Sequence, residues 1–99
     1  MGRPAAAPTS LDFFDDIAPA APTHVVVVPK AHHQDVADLA AADPELAGRL
    51  LAAGADVAAQ EGLVDGFRLV FNTGADGGQT VFHVHLHVLG GRAMTWPPG

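Results

Sequence analysis

Phe82-His83-Val84-His85-Leu86-His87-Val88-Leu89 places three histidines two residues apart, with branched apolar residues between them. Strict alternation over this length predicts a half-buried strand, here running from Thr80 to Leu89. Successive strand side chains point to opposite faces, so His83, His85 and His87 share one side at a spacing of roughly 7 Å. Val84, Leu86 and Val88 share the other side, which must face a core. A row of imidazoles adds nothing to packing and is costly to bury unpaired. Three readings of it are open. A solvated face could merely tolerate histidine, but Thr, Lys or Glu would serve there as well. Histidines at i and i+2 can bind zinc, with a third nitrogen from His24 or His32, although no acidic residue flanks the strand closely. Alternatively, one neutral imidazole is a nucleophile near pH 7 while a second carries a proton in the same range. Attack on phosphorus would give a phosphoimidazole that passes its group to water, and it calls for donors to the non-bridging oxygens.

The segment just upstream, Asn72-Thr73-Gly74-Ala75-Asp76-Gly77-Gly78-Gln79-Thr80, could supply them. Gly77 and Gly78 would let backbone approach a phosphate, and Gln79 and Thr80 add polar groups. Before this loop, Gly66 to Phe71 reads as a strand. Asp43-Pro44-Glu45 opens the clearest helix, with Asp43 suited to the N-cap and Pro44 to N1. Leu46, Leu50, Ala53 and Val57, with Gly54 and Ala58, form one stripe, and Gly62 is a plausible stop. The small residues admit a close neighbour, which the sequence alone assigns to the chain's own sheet. His32 to Leu39 suggests a short helix. His24-Val25-Val26-Val27-Val28, closed by Pro29, reads as a strand buried on both faces, and Leu11 to Ile17 as a short strand. Gly90 to Gly99 is irregular. The order β-β-α-α-β-β with short connections predicts an α+β domain on an antiparallel sheet.

The chain has 99 residues, six of them histidine and none cysteine. That length accommodates one domain, placed at 11–99 behind a flexible Ala/Pro-rich arm at 1–10. Without cysteine, thiolate catalysis, cysteine-bound zinc and disulfide scaffolds drop out. Five Lys+Arg against 11 Asp+Glu give a net charge of −6, which argues against a nucleic-acid surface but leaves room for one small phosphate ligand. No apolar run approaches the roughly 20 residues of a membrane span, and no signal peptide is visible, so a cytoplasmic protein is expected. So short a chain needs a tight core, a ligand or a partner subunit.

His83-Val84-His85-Leu86-His87-Val88-Leu89 resembles the signature of the histidine triad (HIT) superfamily. Asp16-Ile17, Pro22-Thr23-His24, Pro29-Lys30-Ala31-His32, Asn72-Thr73-Gly74, Gly77-Gly78-Gln79-Thr80 and the ending Trp96-Pro97-Pro98-Gly99 are similar to its Hint branch, the purine nucleoside phosphoramidases. The resemblance implies a hydrolase that cleaves the P–N bond of purine nucleoside 5′-phosphoramidates, of the AMP-amine or AMP-lysine type, through a nucleotidyl-histidine and without metal or cofactor. The alternatives are a nucleotide-binding scaffold with little catalysis and a dinucleoside polyphosphate hydrolase. It further implies that His85 is the nucleophile, that the His83 carbonyl orients it, and that His87 and His24 complete the cluster. Asp16 would bind ribose hydroxyls, Phe14 and Ile17 would line the base pocket, and Asn72, Gly78, Gln79 and Thr80 would contact phosphate or amine. His32 matches a recurrent position and reads as a structural histidine. A homodimer joining two sheets is implied, with Trp96 reaching the partner's site and the small-residue stripe partly at the interface. Relatives carry a helix and strand ahead of Leu11, where Met1 to Ser10 offers only the arm, which leaves Leu11–Ile17 one neighbouring strand short.

Overall fold

In the computed structural model, residues 10–99 are described. The expected arm therefore lies outside the described residues except for Ser10, whose carbonyl accepts from the Lys30 N–H. The elements are β1 (Leu11–Asp15), β2 (Thr23–Pro29), α1 (Val36–Ala42), α2 (Pro44–Gln60), β3 (Phe67–Val70) and β4 (Leu86–Gly90). The four strands form one antiparallel sheet in the order β1-β2-β4-β3, so the α+β architecture stands as expected.

Side-chain alternation divides the sheet into two unlike faces. Val25, Val27, Val84, Leu86 and Val88 are buried on the face covered by the helices, together with Leu39 of α1 and Leu46, Leu50 and Val57 of α2. The other face carries the histidines. The strand predicted over Thr80–Leu89 is shorter than expected, because β4 begins only at Leu86. Its backbone bonds explain the late start. The His83 carbonyl accepts from its neighbour's ring, His85 Nδ1, and the Val84 N–H donates to the His33 carbonyl. These groups are therefore not available to a ladder. The burial alternation nevertheless continues back through Val84, which is buried like Leu86 and Val88.

Local chemistry sets both helix boundaries. The α1 helix starts at Val36 rather than His32, since Asp35 caps it by accepting from the Asp38 N–H. Asp43 ends α1 and caps α2, its carboxylate accepting from the Leu46 N–H at 3.0 Å with Pro44 in the first turn. The far end closes through Gly62 at φ +71°: Gly62 N–H donates to Ala59 O and Leu63 N–H to Ala58 O. These paired bonds form a Schellman motif, whose left-handed position suits glycine.

The small-residue stripe of α2 is spent inside the chain, which corrects its assignment in part to a subunit interface. Ala53, Gly54, Val57 and Ala58 are buried against the chain's own sheet. A Cβ on Gly54 would stand 2.6 Å from Cδ2 of Leu86, whereas one on Gly48 would meet nothing within 4 Å. Gly48→Ala is therefore expected to gain up to about 1 kcal/mol from helix propensity. Gly54→Ala must set that gain against overpacking of about 1–3 kcal/mol and is expected to lower the Tm. Thermal melts of both variants test the pair; a Gly54→Ala protein as stable as Gly48→Ala would overturn the packing argument.

Candidate active site

The helix-free face becomes a site because β2 and β4 pair in a register that sets Val26 opposite His87 and His24 opposite Leu89. On the other side of β2, Phe14 stands opposite Val26. Together they border a cleft of about 280 Å³ lined by Phe14, Asp16, Val26, Val28, Val81, His83, His85 and His87. Its floor is apolar and its histidines lie along one wall. That combination of apolar lining and a few convergent polar groups is typical of small-molecule sites.

Backbone partners determine which nitrogen of each ring carries hydrogen. The His83 carbonyl can only accept, so His85 places its hydrogen on Nδ1, 2.8 Å away. The other nitrogen, Nε2, is left with a free lone pair. The Ala20 N–H donates to Nδ1 of His24 at 3.0 Å, which forces the His24 hydrogen onto Nε2. That N–H donates in turn to Nδ1 of His87 at 2.8 Å, so neutral His87 carries its hydrogen on Nε2. The His85 and His87 rings meet edge to face with centroids 4.9 Å apart. Asp16 anchors the other end: Oδ2 lies 3.5 Å from His24 Nε2, and Oδ1 accepts from the Ala18 N–H.

Burial, followed by the nearby His85 and His24 rings, lowers the pKa of His87 below its ordinary 6.5, while Asp16 pulls the other way. The hydrogen-bond pattern acts in the same direction. A proton added at His87 Nδ1 would set two N–H groups against each other unless His24 released Ala20.

The remaining sequence candidates are distributed less compactly. Ile17, expected in the base pocket, is fully exposed and outside the cleft lining. Gln79 is buried and all of its amide is engaged: Oε1 accepts from Gly74 N–H, and Nε2 donates to the carbonyls of Gln34 and Val81. It fastens the loop to the segment before α1 and has no free donor to offer a phosphate. Asn72 likewise donates Nδ2 to the Gly77 carbonyl. Gly77 packs against the Thr73 backbone so closely that no Cβ fits, which makes it a loop-closing glycine. Gly78 sits at φ +78° and donates its N–H to Ala75, and Thr80 is exposed; neither lines the cleft. Trp96 is exposed beside β3, with the Arg68 guanidinium 5.9 Å from its ring centroid. Val26, Val28 and Val81 line the cleft but were not among the sequence candidates. Val26 and Val28 belonged to a run read as core on both faces, and only the pairing of β2 exposes one of those faces to a ligand.

Asp16, His24 and His87 bring a carboxylate and two ring nitrogens within 4.8 Å of one another, close enough to raise the question of a metal. The donor chemistry does not fit. With Ala20 N–H on Nδ1, neutral His24 carries its hydrogen on Nε2, the nitrogen that would have to bind the ion. Metal-bound histidines ordinarily donate from their second nitrogen instead. A larger groove of about 530 Å³ lies between residues 62–68 and 91–94, but none of the histidines lines it.

The HIT domain family model matches residues 9–94 of the chain. An uncharacterised HIT-like protein of Synechococcus elongatus is 50% identical over 86 residues, covering 87% of this chain and 75% of that protein. A 14 kDa zinc-binding protein of Zea mays is 49% identical over 89 residues, covering 87% and 69%. Among solved structures, a HIT family hydrolase from Legionella pneumophila superposes with a TM-score of 0.88 at 47% identity, covering 94% of this chain and 84% of that one.

The lowered pKa of His87 has a consequence for stability. Between that value and 6.5 the unfolded chain binds the proton and the folded one does not, so this contribution is full above 6.5 and is lost as pH falls through the folded value. His87→Asn keeps an acceptor for His24 in its side-chain oxygen but cannot titrate. The wild-type Tm is expected to fall more than that of His87→Asn between pH 7.5 and 5, measured by differential scanning calorimetry. Parallel curves would contradict it.

Proposed function

We propose that this chain, which belongs to the HIT family, is a hydrolase that cleaves the P–N bond of purine nucleoside 5′-phosphoramidates. One observation carries the reading above all: His85 is held by its Nδ1–H, which turns a free Nε2 lone pair toward an apolar cleft. In this reading Phe14, Val26, Val28 and Val81 contact the purine, and Asp16 accepts from the ribose hydroxyls at one end of the cleft.

His85 Nε2 attacks the α-phosphorus. The P–N bond breaks and its electron pair stays with the amine nitrogen, which takes the Nε2 proton of protonated His87. In that state His24 has released Ala20 and carries its hydrogen on Nδ1, so that its Nε2 accepts from His87 Nδ1–H. The site makes protonated His87 a stronger acid than a free imidazolium, since burial and neighbouring imidazoles disfavour its cationic form. In the second step a water oxygen attacks phosphorus as His87 Nε2, deprotonated by the first step while Nδ1–H still donates to His24, takes the water's proton. The P–Nε2 bond breaks, its pair returns to His85, and the nucleoside monophosphate leaves. His24 serves as the partner that fixes the orientation of His87. The phosphate acquires no donors from Gln79, so its partners are His87 Nε2–H and the backbone.

The reading includes a homodimer, to which the exposed Trp96 and the open edge of β3 are suited. Light scattering at micromolar concentration is expected to give a mass near twice 10.1 kDa. A fully active monomer would remove Trp96 from the reading.

Release of AMP from an adenosine phosphoramidate tests the chemistry. Wild type is expected to turn over, to remain active after mild chelation, and to lose at least about 1,000-fold in kcat on His85→Ala. Full activity in that variant would sink the mechanism. A wild-type protein that AMP stabilises against heat without any turnover would make it a nucleotide-binding protein instead.

A further inference from the structure

His32 lies outside the cleft, yet it reaches the site through His83. Nδ1 of His32 stands 3.0 Å from Nδ1 of His83, and Nε2 of His83 lies 2.7 Å from the carbonyl of Pro29. That carbonyl can only accept, so His83 carries hydrogen on Nε2. In the neutral ring Nδ1 is then a lone pair, and His32 must donate to it. Both ring nitrogens of His83 are thereby held. The next residue is held as well, because Val84 N–H donates to the His33 carbonyl at 2.7 Å. Three hydrogen bonds from the short segment 29–33 thus converge on His83 and Val84. The carbonyl of the peptide joining them is the acceptor for His85 Nδ1–H.

We propose that His32 is a positioning residue for His85. By donating to His83 it fixes the 83–84 peptide, and that peptide's carbonyl sets both the tautomer and the aim of the His85 ring. His32 is exposed and makes no contribution to the core, so its hydrogen bond can be removed without emptying a packed site. The kinetic part of the inference rests on His85 as the nucleophile; the tautomer part stands on geometry alone.

Two substitutions separate positioning from bulk. The Asn side-chain nitrogen sits the same number of bonds from Cα as His Nδ1, so His32→Asn can still donate to His83, whereas His32→Ala cannot. Three quantities are to be measured on the full chain: the single-turnover rate of His85 nucleotidylation by an adenosine phosphoramidate, the Kd for AMP, and the ¹⁵N spectrum of the labelled His85 ring. A misplacement of about 1 Å can cost on the order of 100-fold, and His32 acts through one intermediate, so His32→Ala is expected to slow the step about 10-fold. Its AMP affinity is expected to stay near wild type while the His85 ring changes from one tautomer to a mixture. His32→Asn should recover most of the rate and the single Nδ1–H tautomer. A wild-type rate and spectrum in His32→Ala would overturn the proposal, as would equal impairment of both variants. Should wild type itself release no AMP, the hydrolase reading falls and the spectra still decide on His32: tautomer loss in Ala with recovery in Asn upholds it, and an unchanged ring overturns it.

Discussion

The antiparallel pairing of β2 with β4 at the centre of the sheet is the constraint on which everything else depends. Its register sets Val26 opposite His87 and Val27 opposite Leu86, so one face of the pair is core and the other is site. A slip of one residue would turn the imidazoles toward α2 and expose Leu86 and Val88. The outer strands follow from this pair. β1 adds Phe14 beside Val26, and β3 adds Leu69 beside Val88, which places the apolar wall of the cleft on one side and core on the other. Burial of the valines and leucines therefore fixes the site as firmly as any bond within it.

Backbone groups do most of the electrostatic work. The Ala20 N–H, the His83 carbonyl and the Pro29 carbonyl each dictate which nitrogen of a histidine carries hydrogen. Such dipoles are fixed by the fold and need not reorganise when a charge develops, the condition under which electrostatic stabilisation is most effective. A chain of net charge −6 can accordingly line one cleft with imidazoles, with Asp16 set to one side against His24.

The order of elements was legible because its signals are local. Asp43-Pro44 marks a helix start and Gly62 a helix end through bonds made within a few residues, and alternation from Val84 to Val88 needs no distant partner to be seen. What could not be read was where each group would find a partner far along the chain. The β4 boundary depends on His33, some fifty positions before Val84, and on a side chain occupying a backbone carbonyl. Gln79 reads as a phosphate donor because nothing in its own loop reveals that the carbonyl of Gln34, far back along the chain, already takes its amide N–H. Val26 and Val28 are chemically identical to the core valines beside them, and only strand pairing distinguishes them. The individual roles of the histidines came from the family resemblance, whereas their shared face followed from spacing.

Residues 83 to 88 place two different structural demands on alternate neighbours along one chain. His83, His85 and His87 answer to ring orientation and hydrogen bonding, while Val84, Leu86 and Val88 answer to volume and shape. The faces share a backbone but almost no side-chain partners, so a change of bulk at Leu86 and a change of chemistry at His87 are separable problems for a designer. The even positions can be repacked together with Gly54 and Leu69 to alter thermal tolerance, leaving the hydrogen-bonded odd positions as they stand.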